Sequence, residues 1–180
     1  MEPRSAQGQG DSQGDLARQG ARSGLRRSLL RQALRYAKAI AQVAFRHPIL
    51  GVVIIPVLAD ASLVLVRRVD DGRWSLPGGL VDWGEDITTT ATRELQEETG
   101  LTLVQMGRLV GVYSDPDRDP RVHSVAIAIE AQVSGQFAVQ DTLEISQVAA
   151  FAPDQVPLDQ LSHDHSRPLQ DYFQGATRIA

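Results

Sequence analysis

The sequence predicts an α/β fold, a mixed β-sheet held between helices and preceded by a basic helical extension. Three observations carry that expectation. Apolar, β-branched runs and helical periodicities are interspersed along the chain rather than strictly alternating, which favours a mixed sheet over a purely parallel one. Turn residues punctuate those runs. The chain has 180 residues, of which 42% are apolar, so one domain with a real core plus an extension fits its length.

In chain order, residues 1–24 are rich in Gly, Gln, Ser and Arg with almost no large apolar side chain. Such a segment cannot bury enough surface to offset its ordering entropy, and a disordered tail is expected. Over residues 25–46, Leu29, Ala33, Tyr36, Ile40 and Ala44 recur at helical spacing, while Arg27, Arg31, Arg35 and Lys38 lie mostly off that stripe. Pro48 disfavours helical geometry at His47 and ends this basic amphipathic helix. Its chemistry suits an anionic membrane surface, a partner or a targeting peptide, and equally a surface helix packed on its own domain.

Residues 47–180 form the expected main domain. Residues 49–58 and 63–66 read as strands separated by a turn at Asp60 and Ala61, and Asp70, Asp71 and Gly72 make a second turn. Residues 86–98 read as a helix stopped by Gly100. Strands follow over 103–113 and 122–133 around a polar loop, then over 147–152. A closing helix is expected over 164–173, with Ser162 or Asp164 as its N-cap and with His163 and His165 near its start.

There is no cysteine, which excludes disulfides, zinc–thiolate sites and thiol nucleophiles. No apolar run approaches the roughly 18 residues that span a bilayer. A cytoplasmic location is expected. The net charge of -4 hides a split, because residues 1–46 carry nine basic and three acidic side chains and the rest nine basic and nineteen acidic ones. An acidic body argues against nucleic-acid binding and suits a site that gathers divalent cations.

The chemistry concentrates in residues 79–101, GLVDWGEDITTTATRELQEETGL. Glu94, Glu97 and Glu98 stand at i, i+3 and i+4, so a helix puts their carboxylates on one face, where like charges repel. Arg93 relieves this through its i, i+4 relation to Glu97. Ile87, Ala91 and Leu95 fall on the opposite face. A solvated acidic face would account for the glutamates alone. A surplus of carboxylates at one point equally suits a hard cation with oxygen ligands. Gly79 follows Leu76, Pro77 and Gly78, where a missing side chain lets backbone carbonyls turn toward the helix. Glu85 lies near the helix start, where an anion is favoured.

With Gly79, Glu85, Arg93, Glu94, Leu95, Glu97, Glu98, Gly100 and Leu101 in this spacing, the sequence resembles the Nudix hydrolases. Their signature is a glycine, five residues, a glutamate, seven residues, then Arg-Glu-hydrophobic-any-Glu-Glu-any-Gly-hydrophobic, and every fixed position is met. The resemblance implies an α/β/α sandwich around a mixed sheet. It implies that Glu94, Glu97 and Glu98, with the carbonyl of Gly79, bind Mg2+ or Mn2+. Arg93 would hold the glutamates by ion pairing, and Glu85 would steady the joint between loop and helix beside the water that the metal holds. The implied reaction is attack of water on one phosphorus of a nucleoside diphosphate compound. The base is left open between a box glutamate and a carboxylate of a later loop, with Asp141 and Glu144 as candidates. Pairing as a homodimer is expected only by analogy with related hydrolases.

A second informative stretch, residues 111–123, reads GVYSDPDRDPRVH. Two prolines stiffen it, and Arg118, Arg121 and His123 supply donors for phosphate. Asp115, Asp117 and Asp119 can orient the arginines or meet sugar hydroxyls. Pro116 stands about fifteen residues past the box, where ADP-ribose-hydrolysing members tend to carry a proline, and the loop resembles those of small prokaryotic ADP-ribose pyrophosphatases. Residues 144–175 are similar to a group of cyanobacterial members. Trp74 and Tyr113 suit either base stacking or core packing, and Arg67 or Arg68 either phosphate contact or a plain surface. ADP-ribose, split to AMP and ribose 5-phosphate, is the expected substrate. The alternatives are a nucleotide-sensing module without turnover and a hydrolase of FAD, NADH, a GDP-sugar or an oxidised nucleoside triphosphate.

Overall fold

A computed structural model of the chain describes residues 36, 47–118, 122–162 and 164–180. The tail and amphipathic helix expected over 1–46 lie, apart from the exposed Tyr36, outside the described residues, as do Arg121 and His163. The chain divides after His47, and the unit Pro48–Ala180 holds the whole β-sheet.

The first strand, β1 (Ile49–Val57), is an unbroken apolar run because both of its faces are covered. Val52 and Ile54 point into one buried cluster, while Ile55 and Val57, with the partly buried Val53, point into another. β1 runs parallel to β6 (Ser124–Ser134) and antiparallel to the short β4 (Gly78–Leu80). It turns into β2 (Leu63–Arg68) through Ala61, which takes a positive φ of 66°, with the Asp60 carboxylate accepting the Ser62 N–H. β3 (Trp74–Ser75), β5 (Thr102–Tyr113) and β8 (Arg178–Ile179) complete the order β3-β2-β1-β6-β5-β8, and β7 (Ile145–Phe151) pairs with β2. The β1–β6 and β5–β8 pairs are parallel and the other strand pairs antiparallel, so the sheet is mixed.

One helix serves each cluster. α1 (Ile87–Thr99) inserts Ala91 and Leu95 among Val52, Ile54, Val64 and Leu101. α2 (Ser166–Phe173) inserts Leu169 among Ile55, Leu63, Leu65 and Val110. Each fully buried leucine of this kind contributes about 2 kcal/mol of transfer free energy. The result is the α/β/α arrangement around a mixed sheet that the sequence resemblance implies. Among the described residues no helix is long and apolar enough to cross a membrane.

Several expectations need correction. β3, β4 and β8 have two or three residues each and are defined by their neighbours, with no alternation of their own to reveal them. α2 begins at Ser166, and no side chain caps it. Ser162 instead donates its hydroxyl to Asp71, and Asp164 pairs with Arg118, so both side chains are taken up by tertiary partners. Tyr113 is fully buried in the core and donates its hydroxyl to Asp171 at 2.9 Å, which removes it as a stacking platform.

Candidate active site

α1 is started by Asp86, in extended geometry, whose side chain accepts the Thr89 N–H at 2.7 Å. It is stopped by Gly100 in the left-handed conformation, with φ 74°. Between these caps Glu94, Glu97 and Glu98 share one side, but their surroundings differ. Glu98 is only 5% exposed and accepts the Gly78 N–H at 2.9 Å. Burial, reinforced by the charges of Glu94 and Glu144, pushes its carboxyl up to about 8, against the pull of Gly78 and Arg68. Burial also raises Glu94, with Arg93 opposing. Glu97 sits at the more open edge, 45% exposed.

Arg93 binds these charges together. Its Nε and Nη2 donate to the two oxygens of Glu85, both at 3.1 Å. Its Nη1 reaches Glu94 at 2.7 Å and Glu97 at 3.3 Å, and Nη2 also meets the Leu80 carbonyl at 3.2 Å. Glu85 accepts the Thr90 hydroxyl as well, at 2.8 Å. These hydrogen bonds, Arg93 foremost, hold the Glu85 carboxyl down near 2. Only a planar fork of five donors can address three carboxylates and a carbonyl at once.

Both glycines of the bend are required by close approach. Gly78 has φ 151°, and a β-carbon there would run into the Val52 carbonyl. A β-carbon at Gly79 would collide with the carboxylate of Glu94. The backbone of β4 therefore lies directly against the glutamates.

Among the described residues no three carboxylates or imidazoles are already gathered as a cation site, because Arg93 draws Glu94 and Glu97 while Glu98 turns to Gly78. The donor set nevertheless fits a hard divalent cation. It consists of carboxylate oxygens beside a bare glycine backbone, and two of the carboxylates are held above their ordinary range by burial, a condition that a cation relieves.

The later loop separates the two base candidates. Asp141 shapes its own turn, its carboxylate accepting the N–H groups of Leu143 and Glu144 at 3.1 and 3.2 Å. The N–H groups of Gln140 and Asp141 both donate to the Glu97 carbonyl, tying this loop to the end of α1. Glu144 is exposed, and its charge reaches Glu94 and Glu98.

The substrate-binding candidates fall into different surroundings. Arg68 makes two hydrogen bonds to Asp70, each 2.9 Å, while its charge acts on Glu98. Trp74 is packed edge-to-face on Phe151 with ring centroids 5.0 Å apart, and Arg67 lies over its ring at 5.9 Å. Trp74 is partly buried and packs against the apolar cluster that holds Ile55 and Leu169. Arg118 has an 11% exposed side chain, with Nη1 3.2 Å from Asp164 and Nη2 donating to the Ser124 hydroxyl at 3.1 Å. His123 is exposed, and its Nε2 lies 3.2 Å from the Ser114 carbonyl. Sequence reasoning missed the Gly78 N–H, Thr90 and His165, whose Nδ1 accepts the Leu76 N–H. The Gly-Gly pair was a usable signal for the first; nothing local signals the last.

The family description NUDIX domain matches residues 47–172. An ADP-ribose pyrophosphatase of Methanocaldococcus jannaschii is 35% identical over 118 residues, covering 63% of this chain and 67% of its own length. A putative 8-oxo-dGTP diphosphatase of Bacillus subtilis is 30% identical over 129 residues, covering 72% of this chain and 83% of its own. The NUDIX domain of Shewanella oneidensis NrtR, solved in complex with ADP ribose, superposes with a TM-score of 0.64 at 26% identity, covering 77% of this chain and 97% of that one.

Proposed function

The chain belongs to the NUDIX domain family and is a Nudix-type pyrophosphohydrolase, and on that footing we propose that it hydrolyses ADP-ribose to AMP and ribose 5-phosphate with Mg2+ or Mn2+. The observation that carries the reaction is that Glu94, Glu97 and Glu98 share one side of α1 against the bare backbone of Gly79, with Arg93 binding the first two and the Gly78 N–H the third. The substrate reading rests on Pro116 in the second loop and on the similarity to the Methanocaldococcus jannaschii enzyme.

Glu94, Glu97 and Glu98, with the Gly79 carbonyl, would hold the cation. When bound, it neutralises charge on the diphosphate, lowers the pKa of water and aligns the nucleophile. Arg93 keeps Glu94 and Glu97 at the site and leaves Glu98 to its burial and to Gly78. Glu144, exposed and within electrostatic reach of the cluster, takes the proton of the attacking water. The water oxygen bonds to one phosphorus as the bond from that phosphorus to the bridging oxygen breaks. The bridging oxygen leaves with the other phosphate. His123 and Arg121 are assigned to the diphosphate by their donor chemistry and their place in the sequence of the second loop. Arg68 acts on Glu98 by its charge, and Arg118 anchors the loop by its pair with Asp164.

A sensing module without turnover fits poorly, since every box carboxylate and Arg93 are kept. The Bacillus subtilis relative favours oxidised nucleoside triphosphates as the second reading. Product release from ADP-ribose, 8-oxo-dGTP, NADH, FAD and GDP-mannose, with and without magnesium, separates them. The expected result is magnesium-dependent release of AMP from ADP-ribose in excess over all others. Preferential cleavage of 8-oxo-dGTP would replace the substrate while leaving the reaction class.

A further inference from the structure

The bend at residues 76–79 carries the N–H that holds Glu98 and the glycine that abuts Glu94. Its downstream side is fixed by the sheet, since Gly78, Gly79 and Leu80 pair with β1 and the Pro77 carbonyl accepts the Ile54 N–H at 2.9 Å. Its upstream side is fixed from a segment far along the chain. The backbone N–H of Leu76 donates to Nδ1 of His165 at 3.0 Å, and Leu76 is buried at 2% exposure. A backbone N–H can only donate, so Nδ1 is the bare nitrogen and the ring carries its proton on Nε2.

The segment that leads into His165 is anchored at several points. Leu161 forms an isolated bridge with Trp74, and the Ser162 N–H donates to the Trp74 carbonyl at 2.7 Å. Ser162 is fully buried and bonds Asp71, while Asp164 faces the mostly buried Arg118 of the second loop. The segment before α2 is thus stitched to β3, and it reaches the metal bend through one imidazole nitrogen.

We propose that His165 is a positioning residue for the hydrolysis: through the Leu76 N–H it sets the Gly78–Gly79 bend against Glu98 and Glu94 and so tunes cation affinity. The proposal rests on the reading of those glutamates as the cation ligands. Removing the imidazole leaves the Leu76 N–H without its side-chain acceptor, and meeting it by water or by a backbone adjustment loosens the bend. A shift there moves the Gly78 donor away from Glu98.

The test is the Mg2+-induced rise in melting temperature of the full chain, titrated for the wild type, His165→Ala and His165→Asn, alongside steady-state hydrolysis of ADP-ribose. Asn places an amide oxygen where Nδ1 stands and keeps the acceptor. In His165→Ala the Mg2+ concentration for half-maximal effect should rise about tenfold, with kcat falling and KM within about twofold. His165→Asn should recover most of that loss. An unchanged Mg2+ midpoint in His165→Ala would overturn the proposal. So would His165→Asn behaving no better than His165→Ala, or a lowered melting temperature with an unchanged midpoint, which marks a purely structural role. A wild type that responds to Mg2+ but cleaves no ADP-ribose would refute the substrate reading alone, and the melting series would still decide the role of His165. A wild type whose melting temperature ignores Mg2+ would overturn the cation assignment and this inference together.

Discussion

The carboxylate site on α1 and the second loop with its C-terminal supports are built by different means. At the first, the side-chain hydrogen bonds join residues near in sequence. Arg93 binds Glu94, Glu97 and Glu85 across one, four and eight residues, and Gly78 meets Glu98 across twenty. In the second loop and in the C-terminal segment that also supports the bend before Gly78, partners come from far away. Leu76 to His165 spans 89 residues, Asp71 to Ser162 spans 91, and Tyr113 to Asp171 spans 58. Local spacing encodes where the chemistry is; distant contacts decide how firmly it is held.

Breaking the local site should have the largest effect. Glu98→Gln keeps the shape of the buried side chain but removes a charged ligand, so turnover at saturating magnesium should fall by about 100-fold or more with the fold intact. Rates of the variant against its circular dichroism melt check this. Near-normal turnover would remove Glu98 from the site.

Proton linkage sharpens the comparison further. Burial raises the Glu98 carboxyl from 4.5 to about 8 in the folded chain. Between those values the folded state holds a proton that the unfolded state has lost, so its stabilising contribution is full below about pH 4.5 and is lost as pH rises through about 8. The metal-free protein should therefore lose stability from Glu98 over that window, and the Mg2+-induced gain in melting temperature should be larger at high pH than at low pH. Melts with and without magnesium across the range, repeated in Glu98→Gln, measure it. The variant should lose this component of the pH dependence.

Smaller effects are expected at the distant supports. Asp164→Ala leaves Arg118 without its ion-pair partner and frees the second loop, so KM should rise by about fivefold, comparable to 1 kcal/mol, while kcat stays within about twofold. A kcat loss with constant KM would place the pair in the chemistry instead. Tyr113→Phe removes the hydroxyl that bonds the buried Asp171 and should cost about 1–3 kcal/mol of stability with KM unchanged, read by denaturant melts and kinetics. A raised KM without loss of stability would show that the hydroxyl serves substrate binding rather than the core.

Legibility in the sequence divides along the same line. The apolar run of β1, the stop of α1 at Gly100 and the placing of Glu94, Glu97 and Glu98 on one helix side are periodic or local, and spacing conveyed them, whereas Asp86, read as the first helical residue, is the N-cap. Boundaries drifted where pairing overrides pattern. β7 starts at Ile145, earlier than its apolar residues suggest, because Arg68 and Ile145 pair across the register shift that follows Arg67. Ser162 and Asp164 looked like caps because small polar residues before a helix usually are. Their actual partners, Asp71 and Arg118, lie 91 and 46 residues away, and no local rule foresees them. Trp74 illustrates the same limit, since its packing on Phe151 depends on β7 lying beside β2.

The most direct test of the cation site is Mn2+ binding followed by electron paramagnetic resonance in the wild type and in Glu98→Gln, without any substrate. Saturable binding by the wild type, weakened about tenfold or more in the variant, is the expected outcome. Equal affinity in the two proteins would refute the assignment, and the cation would then have to be sought away from Glu98.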